Sequence, residues 1–131
     1  MIKVSVPPGV AYDMLAILEI KAFKTRSPAV DDALLKFSSD MAQSIGRSLH
    51  LWIISSKEYG ELLQENLKLY DLIDYLKSPE RVPGQCYDLE VDSLNLARWK
   101  AKNRLQEKFF PETKEKEIKI GYENAENDQP K

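Results

Sequence analysis

Apolar residues recur at helical spacing along most of this 131-residue chain, in segments separated by short polar or proline-bearing breaks. The clearest segment is 55–77. Its positions 59, 62, 66, 69, 73 and 76 read Tyr, Leu, Asn, Leu, Ile and Leu, alternately three and four apart. That spacing is the seam of a helix packed against other helices. Ser55 with Glu58 three residues on has capping-box spacing and marks the start. Ser78 before Pro79 marks the end, because a residue preceding proline leaves the helical region. One seam position is polar, Asn66.

The flanking segments follow the same logic. Ile2, Val4 and Val6 alternate with Lys3 and Ser5, as in a short half-buried strand that Pro7, Pro8 and Gly9 end. A first helix is predicted over 10–25, nearly all apolar. Placing its residues about 100° apart puts Asp13, Lys21 and Lys24 on an arc that reaches solvent. Glu19 falls opposite, among Tyr12, Leu15, Ala16, Ala22 and Phe23. Ser27 as cap and Pro28 at the first helical position start a second helix over 28–47. Val30, Leu34, Leu35, Phe37 and Met41 supply its apolar surface. LHLWII, at 49–54, either extends that helix or forms a packed connection, and Gly46 favours a break nearby.

After the 55–77 helix, the segment 78–88 carries two prolines and a glycine and reads as a loop. A further helix is expected over 89–109, before Pro111. Val91, Leu94, Ala97, Ala101, Leu105 and Phe109 form its apolar arc, with Arg98 in the middle and Asn95 and Lys102 at the border. Trp99 lies off that arc. Ile118, Ile120 and Tyr122 alternate as a second strand, suited to pair with the first. The expected fold is therefore mainly α: an antiparallel bundle of four main helices, its N- and C-terminal segments joined in a small two-stranded sheet. It forms one domain over 1–122, and the polar stretch 123–131 is expected to be a mobile tail.

Composition narrows the function classes. Nineteen basic against twenty-one acidic residues leave a formal charge of −2, without the basic excess of a nucleic-acid binder. Cys86 is the lone cysteine, so neither a disulfide framework nor a cysteine zinc site is available, and a reducing cytoplasm is expected. The first residues lack a signal-peptide pattern, and the apolar run at 49–54 is far too short to cross a membrane. His50 is the only histidine, so it is expected on a helix surface or partly packed rather than in a metal site.

The candidate site is made of polar residues that project into apolar arcs. They are Glu19, Asn66, Asp74 and Arg98, with Asn95 and Lys102 beside them. Burying an unpaired charge costs several kcal/mol, so acids and bases from different helices are expected to meet, Glu19 with Arg98 in particular. One reading is a hydrogen-bonded network that fixes helix register. The other is a pocket for a small polar ligand, arginine holding an anion and a carboxylate holding an amine or acting as acid or base. Glu58-x-x-Glu61 with Asp71-x-x-Asp74 resembles the paired acidic motifs of all-helical nucleotide pyrophosphatases, which hold magnesium. Here both pairs fall on one helix and point to different arcs, so a solvated face is the better reading, and neither metal nor other cofactor is expected.

Three blocks resemble a family of small helical proteins of bacteria and tailed phages known as a domain of unknown function. The blocks are GVAYDMLAILEIK at 9–21, NLKLYDLIDYLK at 66–77 and NLARWKAKNRL at 95–105. The family patterns are G-x-x-x-D-K-x-x-I-L-x-I-K, N-x-x-L-W-x-I-x-D and N-D-x-R-x-x-x-K. Asp13, Lys21, Asn66, Asp74, Asn95, Arg98 and Lys102 fall on matching positions. Met14 stands for a lysine, Ala16 for a hydroxyl residue, Tyr70 for a tryptophan, and Ile73 and Leu96 for acids. The resemblance implies a one-domain helical fold and supplies no activity.

The expected function is a non-catalytic interaction or accessory protein, self-associating or bound to a protein partner. Trp52 and Trp99 are the candidate interface residues, since surface aromatics mark interfaces. A Trp99 covered by the 78–88 loop is the plainer alternative. The competing function is a small-molecule binding protein or enzyme that holds a small anion at the polar cluster.

Overall fold

Among the described residues two strands and five helices follow in the order β1 (Ile2–Val6), α1 (Pro8–Thr25), α2 (Pro28–Ile45), α3 (Arg47–Ile54), α4 (Lys57–Leu76), α5 (Asp88–Phe109) and β2 (Ile118–Tyr122). The structure is a computed structural model that describes residues 2–111 and 118–122. The expected tail at 123–131 lies outside them. Mainly helical structure with a small antiparallel sheet is what the periodicities predict. In the sheet Val4 lies opposite Ile120 and Val6 opposite Ile118. The alternation of β2 buries Ile118 and Ile120 and leaves Lys119 exposed. The Lys119 amide donates to Ser44 Oγ at 3.0 Å, which ties β2 to α2.

Local chemistry sets the helix ends. Pro8 and Pro28 open α1 and α2, where a missing N–H costs nothing. Between α2 and α3, Gly46 takes φ 99°, a conformation that disfavours any side chain. LHLWII is consequently a helix of its own rather than an extension of α2. At the start of α4 the cap is Ser56, one residue later than the capping-box spacing predicts. Its hydroxyl accepts from the Tyr59 amide at 3.1 Å and donates to the Ile53 carbonyl at 2.6 Å. Glu58 is thereby left to an ion pair with Lys108, at 3.0 Å.

α1 touches α2, α4, α5 and β2, which accounts for its nearly all-round apolar surface. Its Ala11, Tyr12, Leu15 and Ala16 join Phe37 and Met41 of α2, Ile53 of α3, Tyr59 and Leu62 of α4, and Ala101 and Leu105 of α5 in one core. α4 and α5 run antiparallel against each other, with Glu58 meeting Lys108 and Glu61 meeting Arg104. Two expected core residues are exposed instead, Phe23 and Leu35. α2 buries only a narrow stripe, and Leu35 lies about 100° round from Leu34, which does pack. Among the described residues no helix is long and apolar enough to cross a membrane.

Candidate functional site

Three helices meet at one carboxylate, that of Asp13. The residue is only 6% exposed. Its Oδ1 accepts from Asn66 Nδ2 at 2.8 Å. Arg98 grips it from α5, Nε lying 3.1 Å from each carboxylate oxygen and Nη2 2.7 Å from Oδ2. Asn66 also donates to the Leu62 carbonyl at 3.1 Å, which fixes its amide in place. The solvent-facing Asp13 expected from rotation about α1 is thus overturned. α5 crosses that arc because Gly9 lets it come close: the Gly9 amide donates to Gln106 Oε1 at 2.8 Å. A Cβ on Gly9 would stand 3.2 Å from the Lys102 carbonyl oxygen. This approach carries Arg98 over Asp13.

Both oxygens of Asp13 are occupied, and the guanidinium spends two donors on them, a strong charge-assisted geometry. For Arg98 to bind a further anion in the same way it would have to release a buried carboxylate. The arrangement is suited to clamping α1, α4 and α5 in register rather than to turnover.

Glu19 does not meet Arg98. It lies six residues beyond Asp13, hence about 240° round the helix and about 9 Å along it. Half-buried, it faces the Tyr59 hydroxyl instead. Burial raises the Glu19 carboxyl above its ordinary range, and the Tyr59 hydroxyl offsets part of that rise. Tyr59 holds its own proton more tightly, first through burial and then through the Glu19 charge. The contact falls outside regular hydrogen-bond geometry, so the buried hydroxyl has no full partner among the described residues.

The remaining candidates stand apart. Asp74 is exposed, in the field of Lys24, whose Nζ bonds Asp71 at 2.8 Å. Asn95 is exposed, and Lys102 lies half-buried with its Cγ beside Gly9. Of the six expected residues, the structure gathers Asn66 and Arg98 around Asp13, and leaves Glu19, Asp74, Asn95 and Lys102 outside that contact. Three of the four acids in those α4 pairs meet cations from other helices: Glu58 meets Lys108, Glu61 meets Arg104 at 3.7 Å, and Asp71 meets Lys24. Among the described residues no three potential ligands converge on a metal position.

A second polar chain escaped the sequence reading. His50, expected on a helix surface or partly packed, is buried. Its Nδ1 lies 2.8 Å from the Tyr12 hydroxyl and its Nε2 2.8 Å from Ser38 Oγ. Burial lowers the His50 pKa, favouring the neutral ring, and likewise makes Tyr12 hold its proton more tightly. A lone histidine inside an apolar run, with a tyrosine in the buried arc of α1, was the available signal.

The tryptophans occupy different places. Trp52 is exposed and meets Phe109 edge-on, with ring centroids 5.1 Å apart. Trp99 is 55% exposed, so the 78–88 loop does not cover it. That loop folds back on α4 instead: the Val82 amide donates to the Tyr75 hydroxyl at 3.0 Å. The chain matches no known protein family, no curated protein and no solved structure.

Proposed function

We propose that this chain is a non-catalytic interaction protein that associates with a second copy of itself through the outer face of α5. The observation that carries this reading is a row of bare apolar side chains. Leu89, Leu96 and Trp99 are 84%, 51% and 55% exposed, and they are spaced seven and then three apart. Single exposed apolar residues are ordinary. A row at seam spacing is what one helix offers another. Ile73 and Val82, on α4 and the following loop, are also exposed.

The closed geometry around Asp13 supports the same reading, since its hydrogen-bonding capacity is used in holding helices together. In this proposal the four long helices act as an antiparallel bundle, a rigid scaffold that presents the outer face of α5, in the reducing cytoplasm where exposed Cys86 stays a free thiol. The resemblance to the helical family of bacteria and tailed phages is part of it. That resemblance implies acids at 73 and 96, and apolar residues at two exposed positions change a charged surface into one suited to contact.

Fluorescence tests this directly, because the chain has two tryptophans. In a Trp52→Phe variant all tryptophan emission comes from Trp99. Emission that shifts to shorter wavelength as protein concentration rises is the expected result. A spectrum of solvent-exposed indole that is independent of concentration argues against the interface.

A further inference from the structure

A cleft of about 370 Å³ opens between α2 and the start of α3, lined by Ser38, Ser39, Gln43, Arg47 and His50 among others. Its chemistry follows from a buried proton. Tyr12 is fully buried, so its hydroxyl proton needs an acceptor inside the protein, and the acceptor at hydrogen-bond distance is His50 Nδ1. With Nδ1 accepting, the neutral ring carries its proton on Nε2 and donates it to Ser38 Oγ. Ser38 therefore receives a hydrogen bond from the ring, and its own proton is free to point elsewhere.

The polar groups of the lining can all donate, and Ala42 and Leu51 supply its apolar part. Ser38 and Ser39 contribute hydroxyls, Gln43 an amide, and Arg47 a guanidinium that makes no ion pair among the described residues. Among the described residues no carboxylate lines the cleft. α3 begins at Arg47 without a side-chain cap, so the positive end of the helix adds to the same side. The cleft is larger than a bare phosphate needs and falls within the range of small-molecule pockets.

We propose that this cleft binds the phosphate group of a small phosphate ester, with Arg47 and the Ser38 hydroxyl as its principal donors and the Tyr12–His50 pair orienting Ser38. A competing chemistry is available from the same residues: Ser38 as nucleophile with His50 as base. It requires an unprotonated Nε2 to take the serine proton, the opposite tautomer to the one that Tyr12 imposes.

His50 is the single histidine, so its ring gives one set of imidazole signals in a long-range proton–nitrogen spectrum of the full chain. The expected spectrum is that of the Nε2–H tautomer. Titration with inorganic phosphate or phenyl phosphate should move those signals saturably, and chloride at equal ionic strength should not. Tighter binding of phenyl phosphate assigns the ester as ligand, and tighter binding of inorganic phosphate would overturn the ester in favour of the free ion. Arg47→Gln, at an exposed position that leaves the core intact, should weaken binding about tenfold or more. Ser38→Ala should weaken it as well, with the His50 tautomer retained. An Nδ1–H ring, or signals that ignore both phosphates at millimolar concentration, overturns the proposal. So does hydrolysis of p-nitrophenyl acetate by the wild type that is lost in Ser38→Ala, which would assign the nucleophilic pair instead.

Discussion

The two faces of α5 answer different physical demands. Toward α1 and α4 the helix presents Ala101, Leu105 and Arg98, and the Arg98 charge is matched by a buried carboxylate within hydrogen-bond distance. Toward solvent it presents Leu89, Leu96 and Trp99, three large apolar groups that the described residues leave exposed. The inner face shows a polar group tolerated in packing because its partner is supplied. The outer face shows apolar groups left in solvent, which the proposed self-association would cover. Substitutions on the inner face should therefore change folding, and substitutions on the outer face should change assembly.

The largest effect is expected at the charge pair. Arg98→Met leaves Asp13 buried with only Asn66 and should cost on the order of 3 kcal/mol in urea unfolding. That lies at the lower end for such pairs because Arg98 keeps 31% side-chain exposure. Combining it with Asp13→Leu removes the orphan charge and should recover much of the loss. Simple additivity of the two single losses would show that the residues do not act as a pair.

Close approach on the inner face gives the next effect. Gly9→Ala drives a methyl toward the Lys102 carbonyl oxygen, 3.2 Å away, and toward Gln106 Oε1, 2.8 Å away. It should destabilise by about 1–3 kcal/mol. Gly60→Ala, in α4 with nothing within 4 Å of the added carbon, should instead stabilise by about 0.5–1 kcal/mol. Thermal melts that move in the same direction for both variants would refute the close packing of α1 on α5.

Much of this was legible in the chain before its structure. Seam spacing located α4 and placed Asn66 on its buried side, and alternation located both strands. Asn66 and Arg98 stood out because each interrupts an apolar arc. Asp13 did not, because rotation about an isolated helix cannot say which arc a neighbouring helix will cover, and it is the contact at Gly9 that brings α5 over this one. Glu19 looked like the partner of Arg98 for the same reason: both were buried by pattern, and pattern carries no distance between helices. Pattern places His50 on a helix surface or partly packed and not fully buried, since its partners Tyr12 and Ser38 lie 38 and 12 residues away in the chain.

A smaller effect separates two titrating groups, His50 and Glu19, that have no ion-pair partner among the described residues. The folded-state pKa of His50 is lowered, so folding binds fewer protons there than the unfolded chain does. Its contribution is complete above the unfolded value of about 6.5 and is lost as pH falls through the folded value. Glu19 has a raised folded-state pKa, so its contribution runs the other way, complete below about 4.3 and lost as pH rises through the folded value. Replacing Glu19 with Gln should flatten the loss on the alkaline side of that window, and replacing His50 with Gln the loss on the acid side. Stability profiles identical to wild type in both variants would contradict these assignments.

The outer face is tested most directly by the mass of the protein in solution. Sedimentation equilibrium of the wild type over a range of concentrations should show a mass rising above the 15.1 kDa of one chain. Trp99→Ala should return it toward the monomer with its helical content unchanged. A wild type that stays monomeric at every concentration, or a Trp99→Ala variant that assembles as well as the wild type, would contradict the account.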